Sequence, residues 1–105
     1  MVTIKWNKKA QRLFREHILY ARIEFGEETA LRWYRQKNKI EDRLRKYPES
    51  YTQEPLIVRS HVYRSAIIMK RFKLVHFYIP SSNTVRIVDI WDTRMNPERL
   101  RRRIK

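Results

Sequence analysis

At 105 residues, 42% of them apolar, the chain has material for one domain, spanning 1–105, with a modest core. Its 25 Lys and Arg against 11 Asp and Glu leave a net charge of +14. That charge costs self-repulsion and points to a polyanionic or acidic partner: nucleic acid, ribosome, an acidic protein or an anionic membrane. The lack of cysteine excludes a disulfide framework, thiolate chemistry and Cys-based zinc sites, and a single glycine excludes Gly-rich phosphate loops. No apolar run approaches the roughly 18 residues of a membrane span, so the expectation is a cytoplasmic protein with no membrane role.

Residues Val2-Thr3-Ile4-Lys5-Trp6 alternate apolar and polar and read as a short strand, and Asn7 is a helix N-cap. From Lys8 the period changes. Ala10, Leu13, Phe14, His17, Ile18, Ala21 and Phe25 form the stripe of an amphipathic helix that stops at Gly26. Glu27 and Glu28 open a second helix at its positive end. Its seam runs through Ala30, Trp33, Lys37, Ile40, Leu44 and Tyr47 to Pro48, with Lys37 snorkelling. The two helices form an antiparallel hairpin. Pro48 to Val62 reads as a loop in which Leu56-Ile57-Val58 can add a short edge pairing.

Three β-prone runs follow: YRSAIIM, FKLVHFYI and TVRIVDIW. They predict a three-stranded antiparallel meander in an α+β fold. A two-residue turn at Lys70-Arg71 pairs Met69 with Phe72, and Ile79 lies opposite Thr84. One face then holds Tyr63, Ser65, Ile67, Met69, Phe72, Leu74, His76, Tyr78, Val85, Ile87, Asp89 and Trp91. The other holds Arg64, Ala66, Ile68, Lys73, Val75, Phe77, Ile79, Thr84, Arg86, Val88 and Ile90. Neither face is polar. The hairpin covers one, and the other needs the tail or another protein, or stays as an exposed patch. The partner reading is favoured, and it falls on Val75, Phe77, Val88 and Ile90. After Asp92 comes a basic tail in which Asn96, Pro97 and Glu98 start a short C-terminal helix.

Arg64, Lys73 and Arg86 share a face in this register, with Arg94 just beyond the last strand. Such a cluster suits phosphates or a charged transition state, and solvated surface charge explains it equally well. Arg99, Arg101, Arg102 and Arg103 suit nonspecific phosphate contacts or a solvated terminus. Ser65, His76 and Asp89 come near one another, but a polar patch on a sheet explains them better than a catalytic triad. His17, His61 and His76 have no metal-site spacing, so no metal and no cofactor is expected. The spacing of Phe72, Phe77, Tyr78 and Trp91 favours packing over base stacking.

Strand, helical hairpin, meander and basic tail together resemble the RelE/ParE toxin superfamily. The likeness is sharpest in Tyr63-Arg64-Ser65, Phe72-Lys73-Leu74, Val85-Arg86-Ile87, Asp92-Thr93-Arg94 and Pro97. The resemblance implies a type II toxin wrapped and neutralised by a cognate antitoxin in a heteromeric complex. RelE-like members cleave mRNA on the ribosome, which would make Arg64, Lys73 and Arg94 catalytic. The RelE pattern also places a tyrosine where this tail has Leu100, and the tail has no Tyr or His. ParE-like members poison DNA gyrase and carry long hairpins. The sequence reads as ParE-like, with a RelE-like endonuclease and a non-toxic basic nucleic-acid-binding adaptor as alternatives.

Overall fold

The computed structural model describes residues 1–58, 61–96, 98, 99 and 102. Strand β1 (Thr3–Trp6) leads into helix α1 (Lys8–Phe25) and helix α2 (Glu27–Lys46). Four strands follow: β2 (Thr52–Val58), β3 (Val62–Ile68), β4 (Phe72–Ile79) and β5 (Thr84–Asp92). They build one sheet in the order β1-β5-β4-β3-β2. Among the described residues β1 and β5 run parallel, with Thr3 beside Thr84 and Trp6 beside Ile87; the other pairs are antiparallel.

The expected strand, hairpin and meander are all present, but the sheet has five strands. The first strand joins the meander at β5, and most of the expected loop after Pro48 is β2. Pro55 sits comfortably there because β2 is an edge strand, where a missing N–H costs little. Most of the expected C-terminal helix lies outside the described residues. At its start, Asn96 Oδ1 accepts the Glu98 N–H at 2.9 Å, which is N-cap geometry.

The hairpin forms where the stripes predict. Ala10, Phe14, Ile18 and Ala21 of α1 meet Ala30, Trp33, Ile40 and Leu44 of α2, and both rows pack on Ala66, Ile68, Leu74, Val85, Ile87 and Ile90 of the sheet. Phe14 is the hub, with Trp6, Trp33 and Tyr34 edge-on at 5.5, 6.1 and 5.6 Å. Phe25 and Tyr47, read as seam residues, are instead exposed. Lys37 does more than snorkel. It donates to Glu41 at 3.2 Å, and Glu41 also accepts the Trp6 indole N–H at 2.8 Å. Asn7 has the extended backbone of an N-cap, but its side chain turns away from the helix to accept from Arg86.

Register is where the structure departs from expectation. The turn between β3 and β4 has three residues, Met69, Lys70 and Arg71, and pairs Ile68 with Phe72. Met69 and Lys70 take left-handed backbone angles, φ 52° and 68°. The Gln36 side chain of α2 holds the turn by accepting the Met69 N–H at 2.7 Å. One more turn residue than expected exchanges the two faces of β3 relative to β4. A second irregularity leaves Val88 as an extra residue in β5, between the pairs Val75–Asp89 and His76–Ile87. This bulge exchanges the faces at the end of β5. Ile90, expected on the face opposite Trp91 and away from Leu74, therefore enters the helix-side core with Leu74, while Trp91 joins Val75 on the other side.

Gly26 has φ 98° and ψ 173°, a region essentially reserved for glycine. A Cβ there would meet nothing within 4 Å. Gly26→Ala should therefore cost roughly 1–3 kcal/mol through backbone strain alone. Urea unfolding measures this, and an unchanged midpoint would show that the hairpin relaxes freely.

Candidate functional site

The four strand-associated cations do not converge. Arg64 lies opposite His76, on the helix side of the sheet. Its guanidinium donates to the Tyr51 carbonyl at 2.9 Å and lies 3.8 Å from the Glu49 carboxylate. Lys73 lies on the other side, between Ile67 and Trp91. It donates to Glu54 at 2.8 Å. Arg86 is opposite Phe77, four residues further along β4, and donates to Asn7 Oδ1 at 3.3 Å. The turn at Met69-Lys70-Arg71 thus takes Arg64 off the face expected for all three, while Lys73 and Arg86 stay on one side of the sheet. Arg94 is exposed beyond β5 and grips Asp92, with Nη2 at 2.8 Å and Nε at 3.2 Å. That hydrogen-bonded guanidinium holds the Asp92 carboxyl down at about 2.

Glu54 is the residue missing from the sequence reading. It is 5% exposed, and one oxygen accepts both from Lys73 and from Ser65 Oγ at 3.2 Å. A signal for it existed. Pro55 in a β-prone run marks an edge strand, and Thr52 and Glu54 share one side of such a strand. An acid facing a neighbouring strand needs a cation, and Lys73 supplies one.

The Ser65, His76 and Asp89 grouping is also dissolved. Ser65 pairs with Val75, and His76 points to the opposite face. Nδ1 of His76 lies 3.1 Å from the Leu74 carbonyl, which can only accept, so Nδ1 carries the proton. Nε2 has no hydrogen-bond partner among the described residues. The ring is fully buried, with Tyr51 edge-on at 5.7 Å. Burial, reinforced by the Arg64 charge, pushes its pKa down to about 4. Asp89 is buried 3.8 Å from Lys9.

The second apolar face is not an open patch. Tyr63, Val75, Phe77, Val88 and Trp91 form a small core of their own, each at most 9% exposed. His61 stacks on Phe77 at 4.1 Å. Of the residues expected to bind a partner, Val75, Phe77 and Val88 lie in this closed cluster, and Ile90 lies on the helix side. Phe72, Phe77 and Trp91 pack as expected. Arg99 and Arg102 are exposed, whereas Arg101 and Arg103 fall outside the described residues. No group of three potential metal ligands occurs among the described residues, and no described helix is long and apolar enough to cross a membrane.

No protein-family model and no curated protein matches the sequence. Among solved structures, a chain of the chromosomal ParDE TA system from P. aeruginosa superposes with a TM-score of 0.68 at 17% identity. The alignment covers 88% of this chain and 96% of that one. The two chains share one fold. At this identity the likeness is one of architecture, and it extends over nearly the whole ParDE chain. The expected strand, helical hairpin and meander therefore have a counterpart in the fold of that solved chain.

Two outcomes follow for the paired groups. Lys73→Ala leaves Glu54 buried without its cation and should cost roughly 3 kcal/mol, whereas Arg94→Ala, at the exposed Asp92 pair, should leave stability nearly unchanged. Denaturant melts of both variants check this contrast. His76 sets a pH dependence. Between about pH 6.5 and pH 4 the unfolded ring binds a proton that the folded ring refuses. Stability is therefore full above pH 6.5 and declines as pH falls toward 4, by roughly 3 kcal/mol in total. His76→Phe should flatten that slope in melts at pH 4.5 and 7, and an unchanged slope would remove His76 as its source.

Proposed function

We propose that this chain is a ParE-like toxin of a type II toxin–antitoxin system, a single cytoplasmic domain that arrests growth by poisoning DNA gyrase. A cognate antitoxin neutralises it in a heteromeric complex. The toxin acts by binding and needs no cofactor. The fold shared with the ParDE chain supports the class. One observation supports the ParE-like reading over a RelE-like nuclease. Arg64 and Lys73 lie on opposite faces of the sheet, and Arg64, Lys73 and Arg94 each lie beside a carboxylate of this same chain. In-line cleavage of RNA needs such groups converging on one phosphate. The net charge of +14 suits an acidic antitoxin.

Induction in cells, with and without the protein encoded by the adjacent reading frame, tests the reading. Growth arrest with accumulated cleaved DNA and intact mRNA is expected, relieved by the adjacent protein. Arg94→Ala should stay toxic. Codon-linked mRNA cuts on ribosomes, abolished by Arg94→Ala, would establish the RelE-like alternative. Harmless overexpression of folded protein would leave the nucleic-acid-binding adaptor.

A further inference from the structure

The outward side of α2 carries a row of cations. Arg32, Arg35, Lys39, Arg43 and Lys46 are all exposed. At 3.6 residues per turn they fall within an arc of about 80° and run about 21 Å along the helix axis. Arg35, Lys39 and Arg43 repeat at four-residue steps, where like charges repel. Two shallow grooves place the C-terminal part of the row on one surface. One, of about 500 Å³, is lined by Gln36, Lys39, Arg43 and Tyr51 among others. The next, of about 400 Å³, is lined by Asp42, Arg43, Lys46, Tyr47 and Ser50.

The acids of α2 nearest the row are already engaged. Glu28 accepts from Arg35 at 3.0 Å, and Asp42 accepts from Arg45 at 3.1 Å. Arg32, Lys39, Arg43 and Lys46 form no ion pair among the described residues. Arg43 is instead held by neutral groups. Its Nε donates to Ser50 Oγ at 2.9 Å, and its guanidinium lies over the Tyr51 ring at 4.5 Å. These contacts orient the group and leave its charge uncompensated. Cations in the last turn complement the helix dipole, which accounts for Arg43 and Lys46. Arg32 and Lys39 lie too far from that end for the dipole to account for them.

We infer that this row binds duplex DNA along its phosphate backbone, with Arg32, Lys39, Arg43 and Lys46 as the phosphate contacts. Each strand of a duplex presents a phosphate about every 3.4 Å of its axis, so a row of this length lies beside about six of them. A regular, stiff polyanion matches a regular row on a helix anchored through Ala30, Trp33, Ile40 and Leu44. Lys and Arg on phosphates position a protein without reading sequence. Other partners fit less well. An acidic protein or an anionic membrane needs apolar anchors among the charges, and from Lys39 to Lys46 no apolar side chain of α2 is exposed. A single strand needs rings for successive bases, but Arg43 covers one face of Tyr51, leaving Tyr47 as the exposed ring beside these cations. Lys70 and Arg71, at the β3–β4 turn, flank an apolar trough with Tyr20, Phe25 and Phe72, a surface with little use for a phosphate backbone. DNA binding at α2 is separate from the toxin–antitoxin reading, and either can fail without the other.

The test is fluorescence anisotropy of the full chain on a labelled duplex of arbitrary sequence, titrated at several salt concentrations. Each neutralised phosphate contributes about −0.9 to the slope of log affinity against log salt, so four contribute about −3.6. Lys39→Gln and Lys46→Gln should each weaken binding about fivefold to tenfold near 0.1 M salt, equally on unrelated sequences, and flatten the slope by about 1. Both side chains are exposed, and a thermal melt verifies the fold. Lys39→Arg and Lys46→Arg keep the charge and should keep the slope. The Lys70→Gln, Arg71→Gln double variant should change affinity less than about twofold at 0.15 M salt, where charges are screened beyond about 8 Å. An unchanged slope in the folded Arg32→Gln, Lys39→Gln, Lys46→Gln triple variant overturns the assignment. If Arg99→Gln, Arg102→Gln flattens the slope instead, the contacts belong to the tail and the proposal falls. Tighter binding to a single strand of equal length overturns the choice of duplex, and absence of binding at low salt overturns the whole.

Discussion

Leu74 and Val75 are neighbours in sequence, point to opposite faces of the sheet, and are both fully buried. Antiparallel sheets usually keep one face wet. Here the central strands must be covered twice, and that requirement shapes the rest of the molecule. The helical hairpin takes the larger face. On the other, Tyr63, Phe77, Val88 and Trp91 form a second buried cluster with Val75, and His61 stacks on Phe77. Burying each such aliphatic side chain contributes roughly 1.5–3 kcal/mol. Turning either face toward water would forfeit several of these contributions at once.

Polar groups caught inside this double coverage must find partners. Glu41 is buried at the edge of the hairpin core and satisfied by Trp6 and Lys37. Glu54 is buried on the far face and satisfied by Lys73 and Ser65. The second pair has a functional meaning, because it commits to structure the lysine that a nuclease reading would free for chemistry. Positive charge on this chain is therefore of two kinds. Some holds acids inside the fold, and some, at Lys70 and Arg71, faces outward beside an apolar trough.

Period and punctuation made the elements legible. Phe14, Ile18 and Ala21 recur at helical steps, Gly26 separates the helices, and the turn at Pro80 to Asn83 places Ile79 opposite Thr84 as expected. Two local geometries stayed hidden. The chain has no glycine between β3 and β4, yet Met69 and Lys70 turn left-handed there, a conformation that sequence patterns assign to Gly or Asn. Gln36, thirty-three residues away, supplies the compensating hydrogen bond. The bulge at Val88 lies inside an uninterrupted β-prone run and leaves no mark in composition. Each displaces the register by a single residue, so the three meander strands were read correctly while the faces of β3 and of the end of β5 were not. The expected site depended on faces, and Arg64 left it with them.

The parallel pairing of β1 with β5 bears on how the protein is made. Thr3 finds its place only beside Thr84, so the first strand to leave the ribosome waits for the last. Closing so long a loop carries an entropic cost that the short connections of the hairpin and meander do not. The hairpin's own contacts are local, whereas its sheet-facing row of Phe14, Ile18 and Trp33 needs the later strands for cover. A nascent chain is therefore an incomplete object throughout most of its synthesis, and the order of the sheet delays the finished surface until β5 is in hand.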